Sequence, residues 1–497
     1  MAKNFIYKFI GYVMFAFLGV SVLSSCDEVD KGSLTEPEYL TAVQFMEQDP
    51  EGRFSEWLKI LEASDFYGVW GARGDYTILA CGNQGVKDYL AENGYSDIAS
   101  MEKDDINRLV KNHTVLTSYE SYTFSQGPMG DTTMNGNYLT VIYRDGGLNN
   151  LLVNQTSVIV DRDNICTNGI LHVLDKPVAP IVDGAYTMMK KSGKYNILVE
   201  AMEKTGLSTQ LDASTINDGS LANYTVFVEP DEVFKAKGIN DINELVNHLE
   251  AGDDFTEPSN ALYKFLSNHV LDRKLYSNVF RDEMYMTIGG SMVEILPESE
   301  IYVNPRYNVL GELEPENSNT LDVFQMDGQS KNAVIHELKD ILYVFQPAPK
   351  EFVDDICDVP EIRKYKQEEI NGRYFSSEDI ARWKGKGYIV FKYQLGSRGY
   401  NNDFAHCFNA KFGWFEYTTK PILKGKYKIQ VKFAETGAGS HFIFVDGEKC
   451  PDPTKPGSQY HDIGVYEFKE NGTHIMRYES LTGSKLLLDA FIFTPVK

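Results

Sequence analysis

The sequence predicts a multidomain chain in which two similar α+β domains precede an all-β sandwich. Three observations lead to this prediction. The chain has 497 residues, too many for one ordinary hydrophobic core. A set of motifs before the last third occurs twice in the same order. The last third consists of short segments of alternating apolar and polar residues, which is typical of an antiparallel sandwich.

The composition indicates a folded protein with an acidic surface. Hydrophobic residues make up 42% of the chain and aromatic residues 12%, which argues against an intrinsically disordered protein. The formal net charge is −23. Because binding to phosphate backbones requires a basic surface, we expect no nucleic-acid partner.

The N-terminus has the features of an exported lipoprotein. Lys3 and Lys8 precede an apolar stretch, residues 9–23, that is too short for a typical membrane-spanning helix. The stretch ends in Leu23-Ser24-Ser25-Cys26, which resembles a bacterial lipobox. The resemblance implies that Cys26 is lipidated and becomes the N-terminus after cleavage. An acyl chain of this kind tethers a protein to a membrane without spanning it.

The residues after Cys26 predict where the protein is displayed. Asp27, Glu28 and Asp30 resemble the export signal with which some Gram-negative lineages place lipoproteins outside the cell. Residues 27–40 are polar and acidic enough to act as a flexible tether. We therefore expect a lipid-anchored protein of the outer membrane that is exposed at the cell surface.

The first repeated motif contains a histidine inside an apolar run. Asn168-Gly169-Ile170-Leu171-His172 is matched further along the chain by Asn332-Ala333-Val334-Ile335-His336. The apolar run predicts a buried strand. An imidazole in such a strand must find hydrogen-bond partners, since an unpaired buried polar group is costly, or it must serve chemistry.

Two further motifs recur in the same order as the first. An Asn-His pair ending at His113, and another ending at His269, follows a helical apolar pattern. Upstream, Tyr76–Leu90 aligns with Tyr224–Gly238, and each reads as a short β-branched strand, a turn and the start of an amphipathic helix. Three landmarks recurring in one order indicate a tandem duplication.

The landmarks resemble the fasciclin domain family over roughly residues 40–347. “TVFVEPDEVF” and “NGILHVLDKPVAP” are similar to its two signatures, and “FLSNHVLDRKLYS” is similar to its central histidine motif. The first copy departs from the first signature, where it has “TILACGNQGV”. The resemblance implies that the motif histidines are structural, with catalysis or metal binding as the alternative. These residues are His113, His172, His269 and His336.

The last third resembles the galactose-binding-like jelly roll, a fold that many carbohydrate-binding modules use. The final segment “LLLDAFIFTP” is similar to the last strand of that fold. The resemblance implies a sugar ligand, and aromatic rings could stack on it. The candidate residues are Trp383, Tyr400, Trp414 and Tyr460. We expect Trp383 and Tyr400 at the surface, whereas the strand-like setting of Trp414 leaves a core position open.

The motifs of common enzymes are absent from the sequence. There is no GxSxG, HExxH, P-loop or GxGxxG signature, and no CxxC or CxxH pair for zinc. We therefore predict no catalytic residue, metal or cofactor, although paired carboxylates of a glycoside hydrolase leave no sequence signature. After Cys26, Cys81 could pair with Cys166 and Cys407 with Cys450, or all could be buried thiols.

These observations predict a surface-anchored lipoprotein for adhesion or ligand capture, with glycan binding through the sandwich. The alternatives are a non-catalytic scaffold that docks a membrane or cell-surface protein, and a glycoside hydrolase. The predicted segments are a signal peptide (1–26), a tether (27–40), two fasciclin-like domains (41–181 and 182–347), a linker (348–372) and a galactose-binding-like jelly-roll sandwich (373–497).

Overall fold

The computed structural model describes residues 39–216, 221–368, 372–376, 378–393, 399–408, 413–434, 440–451, 459–481 and 485–496. Within these ranges no helix combines the length and apolar character needed to cross a bilayer. The chain divides into two compact units. The first comprises the described residues up to Thr123 with Thr133–Asn135 and Ile159–Pro177, and the second comprises the rest.

The first repeat begins with helices and contains strands from both units. Helices α1–α5 are Ala42–Glu47, Ser55–Ala63, Tyr67–Gly71, Asn83–Glu92 and Lys103–Asn112. Strands β1–β7 are Tyr76–Cys81, Thr114–Val115, Gly127–Thr132, Tyr138–Tyr143, Leu151–Val153, Ser157–Cys166 and Gly169–Leu174. Helix α1 starts at a capping box, in which Thr41 and Gln44 exchange hydrogen bonds between side chain and backbone. In the first unit β1 pairs antiparallel with β2 and parallel with β7.

The second unit opens with an antiparallel meander of β3, β4, β5 and the first residues of β6. The second repeat follows. Helices α6–α11 are Ala185–Ser192, Asn196–Thr205, Leu207–Asp212, Asp231–Ala236, Ile242–His248 and Ala261–Asn268. Strands β8–β15 are Tyr224–Val228, Val270–Leu271, Glu283–Met286, Met292–Pro297, Ile301–Val303, Asn319–Thr320, Gly328–Gln329 and Ala333–Glu337.

The two repeats share one strand register, which confirms the predicted pair of α+β domains. Parallel pairing of β1 with β7 places Leu79 opposite His172, and that of β8 with β15 places Phe227 opposite His336. β-branched and aromatic residues fill β8, all of whose positions are buried. Such residues favour a strand covered on both faces.

The repeated asparagine joins the start of each repeat to its last strand. Asn168 accepts a hydrogen bond from the backbone amide of Ala42 at 2.9 Å and donates one to the carbonyl of Trp70 at 2.7 Å. Asn332 makes the equivalent bonds with the first residue of α6 at 3.0 Å and with α8 at 2.9 Å. Both side chains are buried, so each satisfies backbone groups that water does not reach.

The C-terminal part of the second unit is the predicted all-β sandwich. Strands β16–β27 are Phe352–Asp355, Tyr374–Ser376, Trp383–Gly385, Tyr388–Tyr393, Asp403–Phe408, Trp414–Thr418, Gly425–Phe433, His441–Val445, Glu448–Lys449, Tyr460–Phe468, Ile475–Ser480 and Lys485–Pro495. One sheet has the order β17-β19-β20-β27-β22-β25, with β16 also paired to β27. The other has the order β18-β21-β26-β23-β24.

The segment predicted as a linker belongs largely to the sandwich. Residues 352–355 form β16, which pairs antiparallel with β27, and Pro360–Gln367 forms helix α12. The apolar side chains of this segment lie in the core of the sandwich. Its buried Asp354 accepts hydrogen bonds from Arg382 and from the hydroxyl of Tyr417, the latter at 2.6 Å. The prediction of a linker over 348–372 is therefore wrong for the part from 352 to 367.

Candidate functional site

The histidines of the repeated strand are buried and hydrogen-bonded at both ring nitrogens. His172 Nδ1 accepts the backbone amide of Asp163 at 3.2 Å, and its Nε2 lies 3.0 Å from the carbonyl oxygen of Tyr119. His336 makes the same two bonds, with the amide of Asp327 and with a backbone carbonyl. Burial lowers the pKa of both imidazoles, so both are held neutral, with the proton on Nε2.

The other pair of motif histidines is also buried, but the two copies differ. His113 Nδ1 donates to the carbonyl of Leu79 at 2.7 Å. His269 Nε2 lies 3.1 Å from both carboxylate oxygens of Glu229, which is itself fully buried. Burial opposes the charge on His269, but the Glu229 carboxylate outweighs it and raises the pKa of this histidine. None of these imidazoles faces solvent, so none is offered to a ligand.

The outward face of the sheet β18-β21-β26-β23-β24 carries half-buried aromatic and charged side chains. Residues alternate between core and outside along β21, β23 and β26, as a pleated strand with one buried face requires. Strand pairing places Glu479 between Trp414 and Phe442, and Arg477 beside Phe444. We call this surface the aromatic platform; it consists of Trp414, Glu416, Phe442, Phe444, Arg477 and Glu479.

Arg477 holds the aromatic platform together. Its guanidinium lies over the ring of Trp414, 4.6 Å from the ring centre. The same group donates to Glu416 at 3.1 Å and to Glu479 at 2.8 Å. These contacts hold the Arg477 guanidinium between strands β21 and β26. The Trp414 ring therefore lies beside groups that form hydrogen bonds. At the edge of the sheet the Lys449 ammonium lies 3.3 Å from the centre of the Phe442 ring.

Two other predicted residues, Tyr400 and Tyr460, lie together on the other sheet. Their hydroxyls are hydrogen-bonded, and burial together with this contact raises the pKa of Tyr400 to about 12. The Lys432 ammonium lies 4.0 Å from the centre of the Tyr400 ring and 2.6 Å from the buried Asp489 carboxylate. Tyr460 is 46% exposed and Tyr400 is half-buried, so this pair also presents ring surface to solvent.

Beneath that pair lies a cluster of buried carboxylates. The ligand atoms of Asp355, Cys357 and Asp403 lie within 4.8 Å of one another, a spacing that a metal ion could bridge. However, the Lys366 ammonium is already paired with Asp403. A thiol beside two carboxylates also matches neither the all-oxygen ligand sets of hard cations nor the softer sets of zinc. Burial raises the pKa of Asp403 to about 7 and that of Asp489 to about 6.

The surface position predicted for Trp383 is wrong. Its side chain is 1% exposed and packs edge-to-face on Phe415, with ring centres 5.8 Å apart. The first residue of β18 points into the core because the strand pairs with β21 through Tyr417, another core residue. Trp414, for which a core position was open, is instead half-buried on the aromatic platform.

Each cysteine in the described part of the chain is buried and unpaired. These residues are Cys81, Cys166, Cys357, Cys407 and Cys450. Burial raises the pKa of Cys166 to about 11 and that of Cys407 to about 12. Cys26 and the predicted signal peptide lie outside the described residues.

Sequence reasoning missed most of the aromatic platform. Phe442, Phe444 and Arg477 belong to segments that were recognised as strands, but their outward orientation was not deduced. The usable signal was the alternation in “HFIFV”, where His441, Ile443 and Val445 take the core positions. Phenylalanine occupies both positions between these core residues, so the outward face of the strand is apolar. A strand that only faces water does not need apolar residues there.

The fold and the sequence together define a fasciclin protein with a β-sandwich appended. The sequence model of the fasciclin domain matches residues 52–180 and 193–344, more than half of the chain. The chain belongs to the fasciclin family. It is 22% identical over 251 residues to transforming growth factor-beta-induced protein ig-h3 of Sus scrofa, and 25% identical over 192 residues to stabilin-2 of Mus musculus. These matches cover 50% and 37% of this chain but only 32% and 7% of the relatives.

Several solved structures are similar to parts of the chain. A FAS1 domain pair from the insect cell adhesion molecule fasciclin I covers 59% of this chain and 98% of its own, at 12% identity and a TM-score of 0.27. A family 35 carbohydrate-binding module from Clostridium thermocellum covers 25% of this chain and 99% of its own, at 15% identity and a TM-score of 0.18. A module of the same family from Paenibacillus barcinonensis covers 25% and 100%, at 18% identity and a TM-score of 0.19.

Proposed function

We propose that the chain is a non-catalytic binding protein whose sandwich captures a glycan on the aromatic platform. The observation that carries the proposal is the placement of an indole and two phenylalanine rings on an outward sheet face, beside an arginine held by two glutamates. A surface that serves only solubility does not need rings at these positions.

The chemistry of the aromatic platform suits a sugar. The apolar face of a pyranose packs on an aromatic ring, and Trp414 would offer it the ring face that Arg477 does not cover. The flanking groups of Arg477, Glu416 and Glu479 provide both donors and acceptors, which hydroxyl groups need in pairs. The surface is a sheet face rather than a deep cleft, so we expect it to take one side of an extended polysaccharide and to bind reversibly.

An acyl anchor would complement such binding. In this proposal Cys26 is lipidated, residues 27–40 form the tether, and the protein is displayed on the outer membrane facing the exterior. Tethering many copies to one surface raises the effective concentration of weak sites for a polymeric ligand. Mass spectrometry of the protein from its own membrane tests the anchor: the N-terminal peptide should begin at an acylated Cys26.

Affinity gel electrophoresis of the chain from Asp27 onward tests the glycan proposal. Against a panel of plant, host and microbial polysaccharides, we expect at least one to retard the protein. Trp414→Ala and Phe442→Ala should abolish the retardation, and Tyr388→Ala should not, since Tyr388 is 69% exposed on the other sheet. Equal retardation of all variants would contradict the platform as the site. Release of reducing sugar by the wild-type protein would instead identify a hydrolase.

A second candidate function, docking of a cell-surface protein, is favoured by one turn. Val309 and Leu310 are 102% and 79% exposed at the tip of the hairpin between Tyr307 and Leu313. Asn308 fixes this turn by accepting the amides of Leu310 and Glu312. Aliphatic residues are poor turn formers, so their presentation points to a protein contact. Loss of cell adhesion in Leu310→Asp, with glycan retardation intact, would support it.

A further inference from the structure

A cavity of about 260 Å³ lies within the second unit, apart from the aromatic platform. Three segments line it: the turn at 154–156, the extended segment 178–183 and residues 327–329. The first belongs to the meander, the second joins the repeats and the third contains β14. Thr140 of β4 and Met188 of α6 complete the lining.

The lining combines amide and aliphatic side chains. Its amide side chains are Asn154, Gln155 and Gln329, and its aliphatic ones include Val178, Ile181, Val182 and Met188. The two carboxylates are already used, since Asp327 accepts from Ser277 and Asp183 pairs with Lys191. The cavity is therefore built for a neutral group that both donates and accepts hydrogen bonds.

The duplication supplies a second copy of this position for comparison. In the first repeat, Asn154 accepts the backbone amide of Thr140 at 2.8 Å and donates its own amide to the Thr140 carbonyl at 2.9 Å. In the second repeat, Asn304 and Glu294 make the same two bonds at 2.9 and 2.8 Å. Both asparagines have a left-handed backbone, at φ 48° and 52°. Thr140 and Glu294 are thus structural equivalents.

In the second repeat this position is filled by other parts of the chain. One carboxylate oxygen of Glu294 accepts the Lys350 ammonium at 2.6 Å and the Tyr307 hydroxyl at 2.7 Å. Tyr307 and Lys350 both follow strand β11, which contains Glu294, in the sequence. With these contacts Glu294 is only 4% exposed. In the first repeat, Thr140 replaces the carboxylate, and the space beside it is the cavity.

We propose that this cavity binds an extended, uncharged segment of a partner polypeptide. Such a segment would fill the space that Tyr307 and Lys350 fill in the second repeat, and it needs no cation because Thr140 replaces the carboxylate. The side-chain oxygens of Asn154 and Gln329 already accept hydrogen bonds, from Thr140 and Tyr276. A peptide carbonyl would therefore accept from the amide nitrogen of Asn154, and a small aliphatic side chain would contact the aliphatic part of the lining. The absence of an aromatic residue from the lining makes the cavity a poorer site for a sugar ring.

Selection of peptides on the intact chain tests the proposal. A phage-displayed random heptapeptide library is panned on the wild-type protein, and enriched peptides are synthesised and measured by fluorescence polarisation. Met188→Trp fills the cavity from α6, and Gln329→Glu adds a charge without changing its size. Val344→Trp is the matched control, because Val344 is 49% exposed near the end of the second repeat and does not line the cavity.

We expect uncharged sequences whose affinity falls about ten-fold or more in Met188→Trp and in Gln329→Glu, and stays within about two-fold in Val344→Trp. Hydrogen exchange of the complex should show protection at residues 178–183. Peptides that bind all four proteins equally would overturn the proposal, as would enrichment of charged sequences alone. The proposal would also be overturned if no peptide bound and a neutral monosaccharide bound at the same residues instead.

Discussion

Replacement of Glu229 by glutamine removes the charge partner of a buried histidine. Glu229 follows β8 and is fully buried, where it also accepts the backbone amide of Leu342 at 2.7 Å. Glu229 therefore links three parts of the second repeat: strand β8, His269 at the end of helix α11, and Leu342 near the end of the repeat. Glutamine has nearly the same shape, so the substitution tests the charge and not the packing.

The expected loss of stability is large. Breaking a buried ion pair by removing one partner costs about 3–5 kcal/mol, because the remaining charge is left without compensation. For a domain of about 150 residues, each kcal/mol lowers Tm by roughly 2–4 °C. We therefore expect the transition of the second repeat in Glu229→Gln to fall by roughly 6–20 °C at mildly acidic pH.

The loss should depend on pH in a defined direction. Because Glu229 raises the pKa of His269, the folded state holds the imidazolium proton more tightly than the unfolded state does. This contribution is complete below the unfolded pKa of about 6.5 and disappears as the pH rises through the folded pKa. The difference between wild type and Glu229→Gln should thus be largest near about pH 6 and shrink toward about pH 9.

Circular-dichroism melting at several pH values measures this difference. Glu200→Gln on α7 is the control, since Glu200 is exposed, and it should melt like the wild type. NMR titration of the His269 ring should give a pKa above the usual value in the wild type and below it in Glu229→Gln. A stability difference that does not change between about pH 6 and about pH 9 would refute an ionised pair.

Three further predictions concern the elements that define the fold. Asn332→Ala should destabilise the second repeat by about 2–3 kcal/mol in urea titrations, because it leaves buried backbone groups unpaired, and an equal loss in Asn243→Ala, an exposed position on α10, would refute this. Trp383→Ala should cost about 3–5 kcal/mol in the sandwich, and a change below about 1 kcal/mol would contradict its core position. A fragment of residues 373–497, which lacks β16 and α12, should not melt cooperatively by circular dichroism. A fragment of residues 348–497, which includes them, should melt cooperatively. Cooperative melting of both fragments would refute the requirement for β16 and α12.

The duplication was predictable from sequence because each copy keeps the residues that satisfy its buried backbone groups. Asn168 and His172 each satisfy buried backbone groups, and a substitution at either leaves those groups unpaired. The same requirement holds at Asn332 and His336, so the motif survives in both copies. These histidines are buried, and the structural role that the resemblance implied for them stays a prediction.

The limits of the sandwich and its exposed rings were less predictable because they depend on long-range pairing. β16 is recognisable only through its partner β27, which lies at the other end of the domain in sequence. Trp383 has charged neighbours on both sides, Arg382 and Lys384, which suggested a surface. However, Arg382 turns inward to Asp354, and the indole follows the pleat into the core. One-residue shifts of this kind reverse which face a ring occupies.

The five buried thiols have a consequence for handling the protein. The thiolate is the reactive form of cysteine, and burial raises the pKa of each described thiol, that of Cys407 to about 12, so these thiols stay protonated at neutral pH. The described thiols should thus resist air oxidation and maleimides while the chain is folded. In the chain from Asp27 onward, a single cysteine introduced at an exposed site such as Leu310 would then accept a fluorophore selectively, without removal of the described cysteines. The emission of that fluorophore can then report ligand binding at the chosen site.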